Sequence, residues 1–428
     1  MIQQFSHVKS VNGTLNLPGD KSISHRSVMF SALAEGTSTI YNYLESADIN
    51  STIDCFRKMG CEIIKTEEKI VVTGKGKGGL QAPAEKLDCG NSGTTARLIT
   101  GILAAQNFES TLVGDESLSL RPMKRVIDPL TLMGAKFETN DKLTLPLTIL
   151  PSDDFHAIEY ILPVASAQVK SCVLLGGLFL DETTTVIEKE ATRNHTENLL
   201  GLDVLEKDGS RSISISSKNY PVAGIYNVPS DISTAAFFIV LASILPNSEL
   251  KLNHVLLNKT RCGIISVLRD MGADISIENE KISNGESSGD LIIKSARLKN
   301  CEISSEIIAN IIDEIPILSI AGLFADGNFI VRNASELRVK ETDRIASVCS
   351  NLRLLGLEVN EYEDGFEVAG RIDNRSELVF DSYGDHRIAM AFGVLSVILE
   401  QGGAVKNFGA VGVSNPKFLE QLDVISDK

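Results

Sequence analysis

Two kinds of helix alternate along the chain. The first opens on a polar group, runs through apolar and small residues and is closed by a short turn. It recurs at residues 20–34, 91–104, 166–179, 231–245, 313–325 and 385–399. The turns that follow (Glu35-Gly36, Asn107-Phe108, Asp181-Glu182, Pro246-Asn247, Asp326-Gly327 and Gly402-Gly403) each lead into a short extended segment. A helix with almost no polar face belongs in a core. The second kind is amphipathic and ends at Gly60, Gly134, Gly201, Gly272 and Gly356, after which a strand begins; glycine there supplies the left-handed C-cap. A sixth copy, 418–422, is degenerate and runs into the chain end. The spacing of roughly 70 residues exceeds the short solenoid periods. Six βαβαββ-like modules, grouped three and three, predict an α/β chain of two similar globular halves. Breaks near Pro18-Gly19 and Pro229-Ser230 divide it into residues 1–18 plus 230–428 and residues 19–229.

Composition narrows the function. A length of 428 residues calls for more than one domain. With 43% hydrophobic and 23% charged residues a sizeable core forms and wholesale disorder is excluded. A net charge of −15 argues against general nucleic-acid binding. It leaves anionic small molecules open, since a site needs only a local cluster of Lys and Arg. The start of the chain lacks a basic stretch followed by an apolar one, and the longest apolar runs, 235–245 and 388–399, fall short of the roughly 20 residues of a membrane span. Seven scattered cysteines without a CxxC, and six histidines without an HExxH, favour neither a disulfide framework nor zinc. The expectation is a soluble, cytoplasmic protein without a metal site.

Several apolar helices open on groups suited to anions, which helix N-termini attract. Segment 19–26 (GDKSISHR) places Lys21 and Ser22 in a first turn and Arg26 one turn on; 90–97 (GNSGTTAR) offers Gly93, which lets a ligand approach the backbone. Arg121, Lys124 and Arg125 concentrate three cations. Ser166 to Lys170 (SAQVK) carries groups that could hold a hydroxylated ligand, and 193–197 (RNHTE) precedes an amphipathic helix. Asp313-Glu314 lies between Ile311-Ile312 and Ile315-Pro316, so a carboxylate there is suited either to proton transfer or to capping a helix. Segment 338–344 (RVKETDR) packs five charged residues into seven positions, and Asp385-His386-Arg387 opens the last apolar helix. Singly, each is also compatible with a capped turn or a solvated charged face.

Together and in this order, GDKSISHR, GNSGTTAR, RPM (121–123), SAQVK, RVKETDR and DHR (385–387) resemble the 3-phosphoshikimate 1-carboxyvinyltransferase (EPSP synthase) family over essentially the whole chain. The resemblance implies the enolpyruvyl transferase fold, an inside-out α/β barrel of two three-module domains with ligands in the cleft between them. It implies transfer of the enolpyruvyl group of phosphoenolpyruvate to the 5-hydroxyl of 3-phosphoshikimate, with release of phosphate and no cofactor. By the family pattern Lys21, Ser22, Arg26, Ser166, Ala167, Gln168, Arg193, Asp313 and Lys340 bind 3-phosphoshikimate. Lys21, Gly93, Arg121, Gln168, Arg344 and Arg387 bind phosphoenolpyruvate. Asp313 is expected as base, Glu341 as acid, with Lys21 assisting.

Three positions depart from the enterobacterial and plant pattern: Glu336 stands for Asn, Ala167 for a second serine, and Val413 for a lysine that touches phosphoenolpyruvate. GDKS, SAQVK, RNHTE and 258–261 (NKTR) resemble the class II subgroup, regarded as tolerant of glyphosate, whereas Gly93 lacks the methyl group that favours tolerance, so intermediate to weak inhibition is expected. One alternative is a UDP-N-acetylglucosamine enolpyruvyl transferase. The absence of Cys from 114–121 and the Lys21-Ser22 opening disfavour it. Another is a non-catalytic binding module, which would not need both acid–base carboxylates. A monomer acting on small molecules, without nucleic acid or membrane, is expected.

Overall fold

A computed structural model describes residues 1–370, 372 and 378–427. They fall into two compact units: Met1–Pro18, Pro229–Lys281 and Ser287–Lys428 in the first, Gly19–Val228 with Ile282–Glu286 in the second. The short segment Ile282–Glu286 thus groups with the second unit rather than with the first, as the sequence boundaries had it, because Glu286 pairs with His195 there.

The second unit contains α1 (Lys21–Leu33), α2 (Ala47–Lys58), α3 (Gly93–Ala104), α4 (Lys124–Leu132), α5 (Ala167–Gly177) and α6 (His195–Leu200). Its apolar helices are α1, α3 and α5, and in α1 every residue from Ile23 to Leu33 is buried. The α3 and α5 backbones approach so closely that a Cβ on Gly101 would lie 2.1 Å from the carbonyl oxygen of Cys172; only glycine fits. Three four-stranded sheets surround these helices with one topology. In each, the strand after the apolar helix pairs parallel with a short strand and antiparallel with the far strand of a hairpin: Glu35–Tyr41 with Ile225–Asn227 and Lys69–Lys75, Ser110–Val113 with Leu87–Asp88 and Leu147–Leu150, Thr184–Glu188 with Glu159–Ile161 and Ser210–Ile215. The short strand lies earlier in the chain in the last two sheets and later in the first.

The first unit repeats the plan with α7 (Ile232–Ile244), α8 (Gly263–Asp270), α9 (Ile315–Leu323), α10 (Arg344–Arg353), α11 (His386–Ile398) and α12 (Phe418–Ile425). The apolar α7, α9 and α11 are buried nearly throughout. The degenerate sixth module is completed from the other chain end: Ile2–Phe5 pairs antiparallel with Gly403–Lys406, which pairs parallel with Leu378–Asp381. Phe5, Phe408, Phe418 and Phe238 then stack in sequence, with ring centroids 5.3, 6.2 and 5.5 Å apart. The glycines expected to close the amphipathic helices all take positive φ, from 61° at Gly201 to 97° at Gly272. The seven cysteines are free thiols. No helix among the described residues is long and apolar enough to cross a membrane.

Candidate active site

In the second unit the site is built on three helix openings. Asp20 caps α1, its Oδ1 accepting from Ile23 N at 2.9 Å, and so sets Lys21 and Ser22 in the first turn. Lys21 Nζ meets Asp48 Oδ2 of α2 at 2.5 Å. The Thr95 hydroxyl of α3 donates to the Asp48 carbonyl at 3.4 Å, which sets Lys21 beside the α3 opening. A Cβ on Gly93 would lie 2.9 Å from Arg97 Nη1 and 3.6 Å from Arg121 Nη1, so two guanidiniums flank a bare backbone turn. Gln168, in the first turn of α5, accepts from Arg97 Nη1 at 2.7 Å and donates to Thr94 Oγ1 at 3.2 Å. Arg121 donates to Asn91 Oδ1 at 3.0 Å. Burial, with Arg121 and Arg125 nearby, lowers Arg97 to about 10; it remains charged at neutral pH.

One turn further along α1, buried Arg26 donates from Nε to Thr196 Oγ1 at 2.8 Å, from Nη2 to Ser171 Oγ at 2.7 Å and from Nη1 to the Ser22 carbonyl at 3.1 Å. Burial lowers it to about 10, against the pull of Glu197, Asp20 and Glu286; Arg193 adds positive potential at the same place. Ser166 caps α5, and Ala167 offers only its backbone. The SAQVK segment splits in role. Lys170 is fully buried with Nζ 2.9 Å from Glu188 Oε2 and 2.6 Å from Glu197 Oε1, so it holds the core together and does not reach a ligand.

In the first unit the two carboxylates expected for proton transfer share one cation. Glu314 stands at the N-cap of α9 without a side-chain cap bond. Asp313 does not cap either: its Oδ1 accepts from Arg344 Nη1 at 3.0 Å. Arg344, 1% exposed, donates from Nη2 to Glu341 Oε2 at 2.7 Å and from Nε to Asp385 Oδ2 at 2.7 Å. Asp385 is fixed in turn as the cap of α11, its Oδ1 accepting from Arg387 N at 2.7 Å. Partial burial pushes the Glu341 carboxyl up, but Arg344 and His386 pull it further down, to about 2. Burial, with Arg387 adjacent, lowers His386 to about 4, so it is neutral at pH 7. Arg387 Nη1 lies 3.6 Å from Glu314 Oε1, and its buried Nε has no hydrogen-bond partner among the described residues. A buried donor left unsatisfied is costly, and an anion relieves that cost. Lys340 is half-buried with Nζ 3.9 Å from Glu336 Oε2, and Val413 is exposed.

Each unit therefore gathers its expected residues into one constellation: Lys21, Gly93, Arg121 and Gln168 around α1, α3 and α5, and Asp313, Glu341, Arg344 and Arg387 around α9 to α11. Sequence reasoning passed over Asp48, and left Arg97 and Asp385 without roles. Asp48 gave a usable signal, an acidic residue two positions after the helix-capping Ser46. No group of His, Cys, Asp or Glu among the described residues is placed to hold a metal ion.

A family model described as EPSP synthase (3-phosphoshikimate 1-carboxyvinyltransferase) matches residues 5–422. The 3-phosphoshikimate 1-carboxyvinyltransferase of Salinibacter ruber is 46% identical over 429 residues, covering 100% of both chains. That of Bacillus subtilis is 46% identical over 424 residues, 98% of this chain and 99% of the relative. The solved EPSP synthase of Acinetobacter baumannii superposes with a TM-score of 0.90 at 40% identity, covering 99% of this chain and 98% of that one. The enolpyruvyl transferase NikO of Streptomyces tendae shares the fold, with a TM-score of 0.78 at 14% identity over 100% of this chain and 97% of that one.

Proposed function

The chain belongs to the EPSP synthase family, transferring the carboxyvinyl group of phosphoenolpyruvate to the 5-hydroxyl of 3-phosphoshikimate with release of phosphate, and we propose how its residues divide that work. Lys21, Ser22, Arg26, Ser166, Gln168, Arg193 and Lys340, with the Ala167 backbone, hold 3-phosphoshikimate. Lys21, Arg121, Gln168, Arg344 and Arg387 hold phosphoenolpyruvate, with Gly93 leaving room for it. Guanidiniums suit both ligands because paired N–H donors match carboxylate and phosphate oxygens.

The observation that carries this reading is that Asp313 and Glu341 occupy two arms of the one buried guanidinium of Arg344, at 3.0 and 2.7 Å. A substrate anion drawn to Arg344 thereby comes within reach of both carboxyls. Asp313 takes the proton of the 5-hydroxyl as that oxygen bonds to C2 of phosphoenolpyruvate, while Glu341 gives a proton to C3. The product of this step is a tetrahedral intermediate. A proton then leaves the new methyl group, the C2–C3 double bond re-forms and phosphate departs.

Glu341 cannot donate in the ligand-free state, where Arg344 keeps it ionised. When Arg344 turns to the substrate, attraction is replaced by the repulsion of a multiply charged anion, and Glu341 takes up a proton. Lys21, steadied by Asp48, stabilises the charge that develops. The seven free thiols support placing the enzyme in the cytoplasm; we expect a monomer.

The test is phosphate release from phosphoenolpyruvate with 3-phosphoshikimate, run beside UDP-N-acetylglucosamine. Release with the first acceptor alone is expected. Release with the second at a comparable rate would overturn the assignment of these groups to 3-phosphoshikimate.

A further inference from the structure

The 258–261 segment (NKTR) has no part in either ligand set, yet its structure is specific. Asn258 Oδ1 accepts from Thr260 N at 2.9 Å and from Thr260 Oγ1 at 2.8 Å, forming a tight turn that sends Arg261 inward. Arg261 is 2% exposed; its Nη2 donates to Ser233 Oγ at 2.9 Å and lies 3.4 Å from Asp231 Oδ1. Ser233 donates in turn to Glu314 Oε1. Glu314 is 1% exposed, its Oε1 faces Arg387 Nη1 at 3.6 Å, and its Oε2 has no hydrogen-bond partner among the described residues. The result is a buried row of alternating charge from Asp231 through Arg261 and Glu314 to Arg387.

We propose that Glu314 is a positioning residue for phosphoenolpyruvate, a buried carboxylate held from behind by Ser233 and Arg261 that aims the Arg387 guanidinium at the substrate without consuming its donors. The inference rests on Arg387 being a phosphoenolpyruvate ligand, as assigned above. Arg344 shows the contrast: its Nε, Nη1 and Nη2 are all bonded to carboxylates. Arg387 faces its carboxylate beyond hydrogen-bond distance and keeps Nε unspent. Two adjacent residues thus serve different arginines, Asp313 serving Arg344 and Glu314 serving Arg387. Two effects oppose each other when Glu314 loses its charge. An anion near Arg387 is repelled less, but Arg261 and Arg387 are left as like charges with no carboxylate between them. Arg261 behind Glu314 already offsets the first effect, so loss of the aimed geometry dominates. Burial also raises Glu314, against the pull of Arg387.

The test is steady-state kinetics of E314Q, R387K and the double variant, with melting temperatures as a control. E314Q keeps the acceptor for Ser233 and removes only charge. It is expected to raise KM for phosphoenolpyruvate about tenfold while KM for 3-phosphoshikimate stays within about twofold. On an R387K background it should add less than about twofold. An unchanged or lowered KM for phosphoenolpyruvate in E314Q, or an equal rise for both substrates, overturns the proposal. If E314Q does not fold, E314D keeps the charge but draws it back by one methylene; the same selective rise is expected, and KM values both at wild type overturn the proposal. If R387K leaves KM for phosphoenolpyruvate unchanged, the assignment of Arg387 as a ligand fails and the proposal falls with it. If R387K raises that KM and E314Q does not, the positioning role alone fails.

Discussion

Replacing Asp313 by Asn removes one negative charge but keeps a hydrogen-bond acceptor of the same shape, so it separates the chemistry of this residue from its packing. Asp313 Oδ1 accepts from Arg344 Nη1 at 3.0 Å, and Arg344 keeps Glu341 and Asp385, each at 2.7 Å, in the variant. The stability effects nearly cancel. Weakening a charge-assisted hydrogen bond costs about 1.5–3 kcal/mol. Against this, two like charges about 5 Å apart repel by about 3 kcal/mol at an effective dielectric constant of about 20, and carboxylates sharing one guanidinium stand at such separations. The melting temperature should therefore move by only a few degrees, and calorimetry should still detect 3-phosphoshikimate binding. Turnover loses its general base, which is worth about 10²–10⁴-fold. Phosphate release at saturation with both substrates is the assay. A kcat within about tenfold of wild type, with the variant folded, would remove Asp313 from the proton transfer.

Three further outcomes are expected. Gly93→Ala would press a methyl group against Arg97 Nη1, 2.9 Å away and tied to Gln168; KM for phosphoenolpyruvate should rise about tenfold with KM for 3-phosphoshikimate unmoved, and equal KM values would show the turn to be roomier than the geometry implies. His386 is held at about 4 when folded, against an ordinary value of 6.5; the unfolded chain binds its proton first, so stability falls as pH drops from about 6.5 to about 4, by about 3 kcal/mol at most. Thermal melts across that window should show a shallower fall in His386→Gln, and an unchanged slope would discount the residue. Lys170→Met leaves Glu188 and Glu197 buried without their cation; a loss of about 3–5 kcal/mol is expected in denaturant unfolding, and wild-type stability would refute the structural role given to Lys170.

Much of the frame was legible because it depends on local chemistry. Asp20, Ser166 and Asp385 each stand just before an apolar run, and each caps the helix that follows. Asp313 shows where local reasoning stops: its sequence context fits a helix cap, whereas its side chain instead accepts from Arg344, 31 residues away. The pairs Arg97–Gln168 and His195–Glu286 join residues 71 and 91 positions apart, and no spacing rule links them. The sixth module was incomplete in sequence because its antiparallel strand, Ile2–Phe5, lies at the other end of the chain.

The account turns on Glu341 carrying a proton to C3 of phosphoenolpyruvate, and deuterium reports that step directly. In deuterium oxide, with 3-phosphoshikimate present, the wild-type enzyme at partial conversion should place deuterium in the methylene group of the product. Protonation forms a methyl group that then loses either isotope. Glu341→Gln should still bind 3-phosphoshikimate but incorporate deuterium at least about a hundredfold more slowly. Incorporation by that variant at the wild-type rate would contradict the assignment of Glu341 as the acid.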